Sequence, residues 1–225
     1  MSNQEQALLA RCAAIATSTW SDAMDTLGIA GVVQGIPRRG GQGRMAGFAV
    51  TARHVWGGLG DFDRADFAVG RLVAATGPGR VLMVDAGGTC ISTFGGIASM
   101  AASRRAATAV VIDGACRNVD EIAATGLWLA SRHVTPLTGK TRLKLQAMGE
   151  PVTIGGVPVA EGDLVVGDDT GLVVVPRARL QEVLAAAEEA LAVDGRVEQG
   201  IRDGLSFAEA AAAANYIPAS AGGPA

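Results

Sequence analysis

The sequence predicts an α/β protein with a central β-α-β unit, N-terminal helices and a C-terminal helix. Two apolar runs carry the prediction: "RVLMVDAGG" at 80–88 and "TAVVIDGACR" at 108–117 both end in glycine and polar residues, with a helical pattern between them. Composition agrees, because 49% of the residues are hydrophobic but only 4% aromatic, and 31 are glycine. A core of Ala, Val, Leu and Ile with close backbone approach suits helices packed on a sheet. At 225 residues the chain reads as a single domain over 1–225, long enough to bury its own core without disulfide or metal support.

Residues 1–28 are expected to hold N-terminal helices, with a break near Ser18 to Ser21, Ser21 capping the second helix and Gly28 closing it. A glycine- and arginine-rich loop from Gly35 to Gly47 precedes a strand, "FAVTARHVW", and Asp61 to Ala75 is expected to be helical. The first apolar run is then a buried strand, 92–106 a helix entered through Gly95-Gly96, and 108–117 a second strand parallel to the first. A short helix over Val119 to Ala124 leads to the strand "LWLASRHV", which ends before Pro136. From 151 to 176, short β runs separated by Gly-Gly, Glu-Gly-Asp and Asp-Asp-Thr-Gly predict antiparallel hairpins. The C-terminal helices are expected within 178–213 and a frayed tail at 219–225.

Charge and cysteine content narrow the function. A net charge of −3, with no basic run beyond Arg38-Arg39 and Arg104-Arg105, disfavours nucleic acid as a partner. The absence of a long apolar span or signal peptide disfavours a membrane partner and gives a cytoplasmic expectation. The three cysteines, Cys12, Cys90 and Cys116, form no CxxC and read as reduced thiols.

Candidate chemistry gathers at the carboxyl ends of the two parallel strands, where ligands bind in such units. Gly95 and Gly96 open a helix whose first backbone N–H groups are free and electropositive, so a carboxylate or phosphate can dock there; a glycine pair can equally serve tight helix packing. Arg117 follows the second strand and can grip a carboxylate bidentately, or instead pair with Asp113, Asp120 or Glu121. Asn118 offers a neutral oxygen ligand to a hard cation, or a cap for the following helix. His54 and His133 lack zinc-site spacing, Cys116 has no histidine beside it in sequence, and Asp168 to Gly171 reads as a hairpin turn.

The segments "SDAMDTLG", "VLMVDAGG", "FGGIASMAA", "VVIDGACRNVDEI" and "GDLVVGDDTGLVVVP", in order from about 18 to 210, resemble the family that contains 4-hydroxy-4-methyl-2-oxoglutarate aldolases and the regulator of ribonuclease activity A. The resemblance implies an RraA-like ββα-sandwich related to swivelling phosphohistidine domains. It also implies a homotrimer or dimer of trimers with sites between subunits. Gly95, Gly96, Ile97 and Ala98 match the family segment whose amides bind pyruvate, and Arg117, twenty-two residues after Gly95, matches the arginine that binds the ketoacid. The next family position is an aspartate that holds Mg²⁺ or Mn²⁺, and here it is Asn118, a weaker ligand. An acid from a neighbouring subunit's C-terminal helix corresponds to Asp194 or Glu198.

The function implied is a divalent-metal-dependent lyase that releases pyruvate from a small 2-keto acid, by retro-aldol cleavage of 4-hydroxy-4-methyl-2-oxoglutarate or decarboxylation of oxaloacetate. Because of Asn118, two alternatives stand beside it: an enzyme for another keto or hydroxy acid, and a protein-binding regulator without catalysis.

Overall fold

The computed structural model describes residues 1–216; the frayed tail expected at 219–225 lies outside the described residues. Helix α1 (Asn3–Ala14) starts at a capping box, in which Glu5 N donates to Ser2 Oγ at 3.2 Å and Ser2 N donates to Glu5 Oε2 at 2.8 Å. Helix α2 spans Thr17–Thr26, so the break falls at Ile15-Ala16, earlier than expected, and Ser21 lies inside α2 instead of capping it. A tertiary contact sets that boundary. Asp168 accepts from Thr17 N at 2.9 Å and from Thr17 Oγ1 at 2.7 Å, so the Asp-Asp-Thr-Gly segment is more than a turn.

Partial burial of Asp168 raises its pKa, but hydrogen bonds from Thr17, Thr170 and Gly171 outweigh it and hold the carboxyl below the ordinary range. The folded pKa is depressed, so the stabilisation is present above the unfolded pKa of about 3.9 and is lost as pH falls through the folded value. Asp168→Ala is expected to lower stability by about 1–2 kcal/mol at pH 7, the usual cost of a lost cap. Urea unfolding at pH 7 and at pH 3 should show that gap narrowing in acid.

Ten strands form one mixed sheet: β1 (Val32–Val33), β2 (Arg38–Gly40), β3 (Met45–Trp56), β4 (Arg80–Asp85), β5 (Ser92–Phe94), β6 (Ala109–Cys116), β7 (Trp128–Val134), β8 (Leu143–Met148), and, after a separate hairpin of β9 (Val152–Ile154) and β10 (Val157–Val159), β11 (Leu164–Gly167) and β12 (Leu172–Val175). The order is β1-β12-β11-β3-β4-β6-β7-β2, with β5 paired to β6 and β8 to β3. Strands β3, β4, β6 and β7 run parallel, and the predicted β4/β6 pair registers Leu82 on Val110 and Asp85 on Asp113. Both faces of these strands are covered, which explains their unbroken apolar runs.

Alternate residues feed different cores. Met83 and Val111 face a cluster with Trp128 and the β9/β10 hairpin, whereas Leu82, Val84, Val110 and Ile112 pack with Leu72, Phe94, Ala102 and Ile122. A third cluster joins α1 and α2 to β11, β12 and the long helix α6 (Leu180–Arg202). The result is the expected ββα-sandwich with N-terminal helices and a C-terminal helix, extended by α7 (Phe207–Ala214) on a Ser206 cap.

Several expected elements shift. The Gly35 to Gly47 loop contains β2 and the start of β3. The helix expected over 61–75 is a 3₁₀ turn (Arg64–Phe67) and α3 (Val69–Ala75), separated by Ala68 at φ 46. The segment expected as one helix over 92–106 begins with β5, because Ser92 to Phe94 pair with the end of β6, and α4 spans only Gly96–Arg104.

Candidate active site

Strand β6 ends where the sequence places its polar cluster. Arg117 N donates to Phe94 O at 3.0 Å, tying the residue after β6 to the end of β5. Gly95 is extended and Gly96 begins α4, whose N-terminus carries no side-chain cap; Ser99 N makes the first helical bond, to Gly95 O at 2.9 Å. The N–H groups of Gly96, Ile97 and Ala98 therefore have no partner within the helix.

Both glycines let side chains approach closely, and a side chain at either would force Arg117, Asn118 or Glu121 to shift. A Cβ on Gly95 would stand 3.0 Å from Arg117 Cγ, 3.2 Å from Arg117 Nε and 3.2 Å from Asn118 Oδ1, and one on Gly96 would overlap the Glu121 carboxylate. The glycine pair is thus the floor on which Arg117, Asn118 and Glu121 lie. These residues open onto a cleft of about 590 Å³ whose walls are largely apolar, from Phe67, Val69, Val73, Ala98 and Ala101, with Lys140 also in its lining.

The half-buried Arg117 guanidinium has no ion-pair partner among the described residues. Asp113, one of its expected alternatives, is committed to Arg132, whose Nε and Nη2 donate to it at 2.6 and 3.0 Å; that carboxylate in turn holds the Arg132 pKa above its ordinary value. Asn118 occupies the N-cap position of α5 (Val119–Thr125) at φ 57, ψ 50, a left-handed conformation that asparagine tolerates, but makes no side-chain cap. Its amide instead donates to Glu121 Oε1 at 3.2 Å, and its oxygen faces the Gly95 backbone.

The cation-holding capacity of this corner is modest but suited to one kind of ion. Mg²⁺ keeps several waters and is commonly held by one or two protein carboxylates plus a chelating ligand. Glu121 and Asn118 would offer one charged and one neutral oxygen donor, a set that fits such an ion only where a bound ligand supplies further oxygens. No group of three or more His, Cys, Asp or Glu capable of holding a metal occurs among the described residues.

Gly95, Gly96, Ile97, Ala98, Arg117 and Asn118 all line the cleft, although the Ile97 side chain itself points largely to solvent. Asp194 and Glu198 do not reach it within one chain. Asp194 accepts from Thr19 Oγ1 at 3.5 Å in a groove between α2 and α6, and Glu198 pairs with Arg202 at 3.0 Å. Sequence reasoning had Glu121 only as an ion-pair candidate for Arg117 and missed Lys140. The three-residue step from Asn118 to Glu121, which puts both on one helix face, was the available signal for the former.

The other reactive residue types serve packing. His54 is buried against Phe67, with Nε2 3.3 Å from Phe67 O, and burial pushes its pKa down to about 4, so it supports a cleft wall as a neutral ring. Cys116 is buried beside Ser131 and burial pushes its thiol pKa up; burial pushes that of Cys12 up to about 11. Neither thiol has the lowered pKa that nucleophilic chemistry requires.

The fold and the cleft define a mixed α/β protein with a largely apolar cleft, lined by Arg117 and Lys140, at the carboxyl end of its parallel strands. The chain belongs to the RraA-like family: the family model described as Aldolase/RraA matches residues 17–174. A relative from Halalkalibacterium halodurans named "Putative 4-hydroxy-4-methyl-2-oxoglutarate aldolase" is 29% identical over 206 residues, covering 91% of this chain and 93% of that protein. An uncharacterized protein from Pseudomonas syringae superposes with a TM-score of 0.79 at 28% identity, covering 91% of this chain and 96% of the other. RraAS2 of Streptomyces coelicolor, described as an unusual member of the RNase ES inhibitor RraA family, superposes at 0.72 with 26% identity, over 81% and 91% of the two chains. No helix among the described residues is long and apolar enough to cross a membrane.

Proposed function

We propose that the protein is a divalent-metal-dependent lyase that releases pyruvate from a small 2-oxo acid, either 4-hydroxy-4-methyl-2-oxoglutarate or oxaloacetate. One observation carries this reading: an arginine without an ion-pair partner faces an uncapped helix N-terminus across a glycine pair, inside an apolar cleft. The amides of Gly96 to Ala98 and the Arg117 fork bind the carboxylate and the 2-oxo oxygen. Their donors gain strength as negative charge gathers on that oxygen, which favours the transition state over the bound substrate. Asn118 and Glu121 would hold Mg²⁺ or Mn²⁺, which supplies Lewis acidity at the 2-oxo group. Breaking the C3–C4 bond leaves its electron pair on the pyruvyl fragment, whose methylene carbon then takes a proton from water. In the retro-aldol the C4 hydroxyl gives its proton to water as C4 becomes the carbonyl of a second pyruvate, and in the decarboxylation the C4 carboxylate leaves as CO₂. Retro-aldol cleavage and decarboxylation share this fragment, so one site serves either substrate. The relatives named as aldolases support the reaction class.

The open cleft and the remoteness of α6 from it suit a homotrimer or dimer of trimers in which a neighbouring copy brings Asp194 or Glu198 to the site. A second reading, a binding protein on the same scaffold, draws on the neutral Asn118 and on the likeness to RraAS2.

Pyruvate release from both acids, assayed with Mg²⁺, Mn²⁺ or EDTA, separates these readings. The wild type is expected to turn over with metal and fall silent with EDTA. Asn118→Asp is expected to reach half-maximal rate at on the order of 10-fold less metal, because it adds a negative ligand. Activity that survives chelation, or a wild type silent under every condition while Asn118→Asp turns over, would overturn the assignment.

A further inference from the structure

We infer that Lys140 determines specificity by pairing with a second anionic group, a distal carboxylate, so that the cleft selects diacids over monoacids. The inference rests on the 2-oxo acid site described above and concerns the half of the ligand that Arg117 does not touch.

Lys140 lines the cleft, yet makes no ion pair among the described residues. The acids around it have other partners: Asp66 pairs with Lys144 at 3.6 Å, Asp61 accepts from Gly58 N at 2.6 Å, and Glu121 accepts from Asn118. The cleft therefore carries two cations, Arg117 and Lys140, against the single charge of Glu121. A monoacid engages only one of them.

The lysine's backbone is held firmly. Thr138 bridges to Ser92 in parallel, Ser92 N donates to Leu137 O at 3.0 Å, and both Arg142 N and Leu143 N donate to Gly139 O, at 2.9 and 2.8 Å. Gly139 makes this packing possible, since a Cβ there would stand 2.5 Å from Phe67 Cε2 and 2.6 Å from Ser92 O. Ser92 to Gly95 is three steps of extended chain, about 10 Å, so the Thr138–Lys140 segment enters the cleft well back from the helix N-terminus. The rest of the lining is largely apolar, with Phe67, Val69 and Val73 among it. A diacid, with an anion for each cation and a short carbon chain between them, matches that lining, although Lys140 is itself exposed, so its pairing is worth less than that of a buried cation.

Two stable acids of equal length isolate the effect: 2-oxoglutarate ends in a carboxylate where 2-oxopentanoate ends in a methyl group. Titration calorimetry on the full chain with Mg²⁺ is expected to show the wild type favouring 2-oxoglutarate by on the order of 10-fold or more. Lys140→Ala should erase that preference, Lys140→Arg should retain it, and Arg117→Ala should weaken both acids together. A wild type without preference, or a Lys140→Ala protein that loses both acids equally, overturns the inference. Preference without turnover of any substrate would count against the lyase and leave Lys140 its role; turnover without preference would do the reverse.

Discussion

Arg117→Ala is expected to lower kcat/KM for pyruvate release by about 100- to 1000-fold, the usual cost of truncating one partner of a desolvated charge pair. The size of the loss follows from the surroundings of the side chain. Arg117 is half-buried against Gly95, no carboxylate of the chain is bound to it, and the nearest strong acid on β6, Asp113, is held by Arg132. Without a ligand the guanidinium has no structural partner, so its removal should spare stability while removing carboxylate binding. That contrast is the test, since an arginine kept for structure would show the opposite pattern. Arg117→Lys should lose less, nearer 10-fold, because a point charge remains but the bidentate fork does not. Thermal unfolding of Arg117→Ala within a degree or two of wild type, combined with the kinetic loss, is the expected pair of results. A destabilised variant with unchanged kcat/KM per folded molecule would remove Arg117 from the site.

What the sequence made legible and what it hid divide along physical lines. Strands β4 and β6 were readable because both their faces are buried, which forces an unbroken apolar run, and their shared carboxyl end located Gly95, Gly96 and Arg117. Strand β5 was hidden because three residues that run directly into a helix carry too little periodicity of their own; only pairing with Ala115 and Cys116 makes Ser92–Phe94 a strand. Strand β8 alternates buried and exposed residues in "LKLQ", but its place depends on β3, whose paired residues lie 87 to 96 positions earlier. The α1/α2 break was misplaced because an aspartate 151 residues away anchors Thr17. At the site, Asn118 read as a helix cap because it sits at the cap position, yet its left-handed backbone turns the side chain toward Glu121. Lys140 carried no local signal: its position depends on Gly139 packing under Phe67. Asp194 and Glu198 were matched through resemblance alone, and a single chain keeps them on α6, away from the cleft.

Asp113→Ala is expected to cost about 2–3 kcal/mol of stability, below the roughly 3–5 kcal/mol of a fully buried ion pair because the Arg132 side chain is 29% exposed. Asp113 is 7% exposed and meets three donors: Arg132 Nε at 2.6 Å, Arg132 Nη2 at 3.0 Å and Gly155 N at 2.7 Å. The carboxylate thereby joins β6 to β7 and to the β9/β10 turn, on the opposite side of the sheet from α4 and α5. Truncation leaves a part-exposed guanidinium without its anion and the buried Gly155 N–H without an acceptor. Against a typical total of roughly 5–15 kcal/mol, that loss should move the urea midpoint strongly and leave the slope of the transition unchanged. Asp113→Asn should cost less, because its oxygen still accepts from Gly155 while Arg132 keeps only a neutral partner. Converting both members together, Asp113→Leu with Arg132→Met, should recover most of what Asp113→Ala loses, since two apolar side chains remove the unpaired charge along with the pair. Recovery would locate the cost in the stranded charge; no recovery would locate it in the orphaned Gly155 N–H, and a midpoint unmoved by Asp113→Ala would show that the pair holds nothing together.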